Sequence, residues 1–141
     1  MPPYSLRRLA WAGPLATLAA ILAVMAYYAL TKALGEPYLM PLDGNSSRLG
    51  PMPVLTPILA ILVPGLLASG FFGLLLRFAR KPATVFLSVC ITALILSLGG
   101  PFDLPVATMQ TRFLLSGMHV LAAAIITSGI LLMSHKNEKV P

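Results

Sequence analysis

Residues 49–76 read LGPMPVLTPILAILVPGLLASGFFGLLL and contain no charged side chain. An α-helix rises about 1.5 Å per residue, so about 20 apolar residues cross a hydrocarbon core about 30 Å thick. Three further uncharged runs of sufficient length follow the same rule, at residues 9–31, 82–102 and 113–134. The sequence therefore predicts an all-α membrane protein, a bundle of four transmembrane helices at about 9–33, 54–79, 82–99 and 108–133.

The composition agrees with this assignment. The chain has 141 residues, of which 57% are hydrophobic and only 10% are charged, whereas a soluble domain carries roughly 25% charged residues. Once four helices are placed in lipid, only tails and connections remain. We therefore expect residues 1–141 to form one integral membrane domain, with no room for a soluble catalytic domain.

The charged residues are divided unevenly between the two faces of the predicted bundle. The face that holds both termini has a net charge of +6, from Arg7, Arg8, Arg77, Arg80, Lys81, Lys136 and Lys139 against Glu138. The opposite face has a net charge of zero, from Lys32, Arg48 and Arg112 against Glu36, Asp43 and Asp103. Because basic residues accumulate on the cytoplasmic side, we expect both termini, and the short loop between helices 2 and 3, to be cytoplasmic. The longer loop then lies outside.

The same distribution bears on location and partners. A net charge of +6 for the whole chain raises the question of nucleic-acid binding. However, the basic residues flank membrane helices, where they contact anionic lipid headgroups. We therefore expect a lipid bilayer, and no nucleic acid, as the environment of this face.

Helix 2 carries small residues at every fourth position, Gly65, Ser69 and Gly73. Such a pattern lets two helix backbones approach closely in a membrane. We expect this face to contact either the alanine-rich face of helix 1 or a second subunit. It is the sequence feature that favours self-association.

His119 lies inside the fourth uncharged run. Ionisable side chains are costly in the hydrocarbon region and usually face the interior of a bundle. Several interpretations remain open: a neutral imidazole with a purely structural hydrogen bond, a contact to a lipid or quinone, a proton relay, or a ligand to a haem or pigment metal.

A polar track leads from the outer surface towards this histidine. Thr108, Arg112, Ser116 and His119 follow one face of helix 4, at i, i+4, i+8 and i+11. The track ends in the middle of the membrane, which is typical of a blind pocket rather than of an ion pathway. We expect His119 to contact helix 3 near Thr92, and we take His119, Ser116, Arg112 and Thr92 as candidate ligand-binding residues.

Residue spacing argues against a metal site and against an enzyme. His119 and His135 are sixteen residues apart, about 24 Å along a helix. No cluster of His, Cys and Asp has the spacing of a metal site, and the phosphate-loop, dinucleotide and nucleophile-elbow motifs are missing. We expect no metal, no cofactor and no catalytic residue.

Three segments resemble a known family in their order and spacing. They are RLAWAGPLA at residues 8–16, LLLRFARKP at residues 74–82 and MHVLAAAII at residues 118–126. Together they resemble small four-helix bacterial membrane proteins catalogued as domain of unknown function 6069, over residues 8–133. The resemblance implies a four-helix integral membrane protein, without an established activity or catalytic residues.

From these observations and the resemblance to bacterial proteins we expect a non-enzymatic protein of a bacterial inner membrane, a structural or accessory component that self-associates or docks to a larger membrane complex. One alternative is a protein or permease that binds a small molecule, such as a lipid or quinone, in an outward-facing pocket near His119. A second alternative is a pigment- or haem-binding subunit.

Overall fold

A computed structural model describes residues 4–41, 49–104 and 107–135. In chain order the helices are α1 (Leu6–Ala33), α2 (Leu55–Phe78), α3 (Pro82–Ser97), α4 (Gly99–Asp103) and α5 (Met109–Ser134). Two short strands, β1 (Leu39–Pro41) and β2 (Leu49–Pro51), lie between α1 and α2. Several charged residues used in the charge comparison lie outside the described residues: Asp43, Arg48, Lys136, Glu138 and Lys139.

The prediction of a four-helix membrane bundle is confirmed. Four helical segments are long and apolar enough to cross a membrane, and α3 and α4 together form the third of them, Pro82–Asp103. The helix predicted at 82–99 corresponds to α3, which ends at Ser97, and after Leu98 the chain continues as the short helix α4, which the sequence did not predict. Pro101 is tolerated because it occupies the first turn of α4, where its missing N–H has no helical partner to lose.

The alanine-rich face of α1 packs against α5. Ala12, Ala16 and Ala20 are buried, and a Cβ atom placed on Gly129 of α5 would lie 2.7 Å from the Cβ of Ala16. These small side chains allow the two helix backbones to approach closely. As a result, α1 makes its most extensive contacts with α5 and its next most extensive contacts with α2.

The small residues of α2 lie against a different face of α1. A Cβ atom placed on Gly65 would be 2.5 Å from Thr17 Oγ1, and one placed on Gly13 would overlap the side chain of Ser69. A Cβ on Gly73 would only reach ordinary van der Waals distance from α1. Thr17 and Ser69 each donate to the carbonyl one turn earlier, at 2.9 and 2.8 Å, so neither hydroxyl needs a partner across the interface.

In contrast, α3 lies at the periphery. Among its residues, all of which the structure describes, Phe86 alone is buried. The Phe86 ring packs against Phe72 of α2 with 4.7 Å between the centroids. Most of the α3 surface is therefore exposed on the outside of the bundle.

The first and last described residues meet at one end of the bundle, which we call the termini end. The backbone N–H of Ser5 donates to the carbonyl of Ser134 at 3.0 Å, and Arg8 Nη1 donates to the carbonyl of His135 at 2.6 Å. The rings of Tyr4 and His135 are 5.2 Å apart, edge to face.

The opposite end, which we call the hairpin end, is closed by the antiparallel pair β1 and β2, in which Met40 pairs with Gly50. Tyr38, just before β1, is buried and has a left-handed backbone, with φ at 43°. Its hydroxyl is 2.6 Å from Thr31 Oγ1. These contacts hold the hairpin against the ends of the helices.

Candidate functional site

A cavity of about 570 Å³ extends from the hairpin end to the middle of the bundle. It lies between α2, α3 and α5, and Met40 and Met52 from the hairpin region also line it. Its volume is within the range of about 300–1,000 Å³ that is common for sites of small molecules. The lining is almost entirely apolar.

The cavity exists because the facing side chains are small. Ala60 and Ala68 of α2, Ala93 of α3, and Ala122 and Ala123 of α5 all line it. Since α3 is held mainly through one buried phenylalanine, it does not close on the other helices to fill this space. The result is an apolar chamber within the part of the bundle that membrane lipid surrounds.

His119 lines this cavity and is half-buried. Its Nδ1 lies 2.9 Å from the backbone oxygen of Leu115, one turn earlier on α5. The predicted partner on helix 3 is wrong, because Thr92 is exposed and donates to the carbonyl of Ser88 at 3.0 Å. The face of α3 that lines the cavity carries Ala93 and Ser97 instead.

Thr92 does not contact His119 because a hydroxyl in a helix can form its hydrogen bond within the same helix. When Thr or Ser bonds to a carbonyl one turn earlier, the side chain no longer requires a polar neighbour. Thr92 can therefore face lipid at little cost, and the rotation of α3 is set by the packing of Phe86 rather than by its hydroxyl groups.

The other two candidate residues, Ser116 and Arg112, lie on the hairpin side of the cavity and do not line it. Ser116 Oγ donates to the carbonyl of Arg112 at 2.8 Å. Arg112 Nη2 donates to the carbonyl of Leu104, which does line the cavity, at 3.0 Å. Of the four residues predicted to bind a ligand, His119 is thus the one that lines the cavity, and Arg112 adjoins it through Leu104.

Sequence reasoning missed a polar cluster at the hairpin end. Glu36 is only 5% exposed, and its carboxylate accepts a hydrogen bond from Thr111 Oγ1 at 2.6 Å. Thr108 caps α5, since its hydroxyl accepts from the backbone N–H of Thr111 at 3.1 Å. Burial raises the pKa of the Tyr38 phenol above its usual value, and this effect outweighs the opposite effect of the hydrogen bond with Thr31. The cluster ties the connection after α1 to the start of α5.

A signal for this cluster was present in the sequence. Glu36 and Pro37 lie shortly after the first predicted helix, beyond Leu34 and Gly35, and Tyr38 begins an apolar stretch inside a loop. An apolar stretch within an otherwise polar connection indicates a loop that folds back onto the bundle. The acid next to it then needs a hydrogen-bond donor, which a threonine of the capping turn supplies.

Metal-ligating side chains do not gather within the described ranges, 4–41, 49–104 and 107–135: no group of three or more His, Cys, Asp or Glu residues could hold an ion there. Cys90 also lines the cavity, as a free thiol. The site therefore offers a largely apolar surface that carries one imidazole, one thiol and the hydroxyl groups of Thr56, Ser97 and Thr127.

Comparison with known proteins gives one result. No curated protein and no solved structure matches the chain. The model of a family of unknown function, DUF6069, matches residues 4–134, as the three sequence segments predicted. The chain therefore belongs to this family of unknown function.

Proposed function

We propose that this protein is a non-enzymatic membrane protein that binds one amphiphilic molecule, a lipid or a quinone-type compound, in the cavity beside His119. The observation that carries the proposal is the cavity itself, about 570 Å³ of apolar space between α2, α3 and α5. An apolar cavity of this size next to acyl chains favours a long hydrocarbon tail over water.

The peripheral position of α3 supports a route into the cavity. Its contacts with α2 and α5 are much less extensive than those of α1 with the same two helices. A tail can therefore enter sideways from the bilayer by a small displacement of α3, without unfolding the core around α1.

Self-association has less support from the structure than from the sequence. The expectation rested on the face formed by Gly65, Ser69 and Gly73, and α1 of the same chain occupies that face. Docking to a larger complex would then use surfaces other than this one. For this reason we place ligand binding first.

The proposal includes an orientation. The strong basic bias of the face with both termini supports a cytoplasmic termini end in a bacterial inner membrane. The cavity then lies in the outer half of the bilayer, below the hairpin. Its ligand would come from the outer leaflet.

Native mass spectrometry of the detergent-purified protein tests this proposal. We expect one equivalent of decyl hydroquinone or of a short-chain phospholipid to bind. Filling the cavity with Ala93→Phe and Ala123→Phe together should abolish binding, because both side chains line it. Ala19→Phe on the exposed face of α1 is the matched control and should leave binding unchanged.

Two results would contradict the proposal: no binding of either probe, or equal binding by the cavity-filled variant in a correctly folded form. A visible absorption band in the purified protein that His119→Phe removes would instead support the pigment- or haem-binding alternative.

A further inference from the structure

The hydrogen bond of His119 fixes which of its ring nitrogens carries a proton. Nδ1 lies 2.9 Å from the backbone oxygen of Leu115. A carbonyl oxygen has no proton to give, so Nδ1 must be the donor. In the neutral imidazole the other nitrogen, Nε2, is then a hydrogen-bond acceptor with a free lone pair.

The acidic side chains of the described residues lie at the hairpin end of the bundle. The acidic side chains in the described part of the chain are Glu36 and Asp103. Glu36 accepts from Thr111, more than two helical turns above His119, and Asp103 lies at the exposed end of α4. The nearest cation along α5 is Arg112, about 10 Å above at helical rise.

Nε2 has no hydrogen-bond partner among the described residues, yet it is not sealed inside the protein. The one fully buried, unpartnered side-chain nitrogen or oxygen among those residues is Arg112 Nε. His119 Nε2 therefore retains accessible surface, and His119 is part of the cavity wall. Of the nearby hydroxyls, that of Ser97 is already used, because it donates to the carbonyl of Leu94 at 2.8 Å.

We infer that His119 Nε2 accepts a hydrogen bond from the polar end of the bound molecule, so that the ligand is an amphiphilic alcohol or phenol, such as a quinol, rather than a quinone or an ether. A quinone carbonyl or an ether oxygen would bring its own lone pairs against that of Nε2. This inference rests on the proposed function, since it assumes that the cavity holds an amphiphile.

The test compares two ligands with the same tail, decyl hydroquinone and its dimethyl ether. We expect the wild-type protein to bind the hydroquinone about three- to tenfold more tightly, as one net hydrogen bond provides. His119→Phe, which removes the acceptor, should bind both ligands equally. His119→Gln, which offers a donor as well as an acceptor, should reduce the preference and serves if the Phe variant fails to fold. Ser128→Ala, which removes a hydroxyl at an exposed position of α5 outside the cavity lining, is the matched control and should keep the full preference.

The outcomes separate the two proposals. Equal binding of the two ligands by the wild-type protein, or binding of a phospholipid alone, would overturn the hydroxyl inference while ligand binding in the cavity stands. If no probe binds, the proposed function itself fails. A metal-dependent absorption band that disappears in His119→Gln would overturn the inference by assigning Nε2 to a metal.

Discussion

Close contact between α1 and α2 depends on the absence of a side chain at Gly65. A Cβ atom there would lie 2.5 Å from Thr17 Oγ1 and 2.7 Å from Thr17 Cγ2. Thr17 is buried and stiff at χ1, because it is β-branched and bonds its own backbone. The neighbouring residues therefore have little freedom to make room for one methyl group.

We predict that Gly65→Ala lowers the free energy of unfolding by about 1–3 kcal/mol, the usual cost of overpacking. Thermal unfolding in detergent measures it. The control is Gly70→Ala in the same helix, where nothing lies within 4 Å of the added atom, so the melting temperature should not fall. A melting temperature of Gly65→Ala equal to that of the control would show that α1 and α2 are further apart than described.

At the scale of helices, α3 depends on one anchoring side chain. Phe86 is its one buried residue among those described, packed between the rings of Phe71 and Phe72 with centroid distances of 6.5 and 4.7 Å. Everything else that holds α3 is its sequence connection to α2 and α4 and looser contacts with α5.

We predict that Phe86→Ala costs about 3–5 kcal/mol, as for other large-to-small core substitutions, and that α3 separates from α2. The single cysteine, Cys90, lies on α3 and reports this movement. Its alkylation by N-ethylmaleimide should be faster in Phe86→Ala than in wild type. Leu87→Ala, at an exposed position of the same helix, should leave the rate unchanged. If both variants react at the wild-type rate, α3 is held by contacts other than Phe86.

Helices were predictable from the sequence, whereas their packing faces were predictable only where small residues mark them. Uncharged runs such as residues 49–76 are sufficient to place a helix in the membrane. They do not show which side packs, because lipid is as apolar as a core, and so Thr92 was assigned to the wrong face of α3. The small residues of α2 did indicate a close contact with another helix. Their partners on α1 are Gly13 and Thr17 rather than the alanines, because the rotation of α1 turns the alanines towards α5.

Loop structure was predictable only in part. The many Pro and Gly residues between α1 and α2 indicated a connection without helix, and no long helix is described there. The apolar stretch at Tyr38 indicated that the loop folds back and that Glu36 needs a donor. The hydrogen bond to Thr111 spans 75 positions of sequence, however, and no local pattern identifies that donor. The cavity is likewise a property of three helices together, and of the site residues only His119 was recognised in advance.

At the scale of the whole molecule, the described ends of the chain meet at the termini end, through Ser5 and Ser134. We predict that reporter fusions at the two termini indicate the same, cytoplasmic side of the membrane, while a reporter inserted at residues 44–47 indicates the opposite side. Alkaline phosphatase, active outside, and green fluorescent protein, fluorescent inside, provide the measurement. External activity of a fusion at the C-terminus would contradict the orientation.

The pairing of α1 with α5 has a consequence for how the chain is made. Of the helices described here, α1 leaves the ribosome before the others, yet its most extensive contacts are with α5, which leaves after them, and residues 34–108 lie between the two. At about 5–20 residues per second, synthesis of this interval takes roughly 4–15 s. During that time the small-residue face of α1 that later receives Gly129 stays open to lipid and to other nascent helices. Assembly of the bundle therefore finishes only after translation of α5, and variants truncated before α5 should be substrates for membrane quality-control proteases.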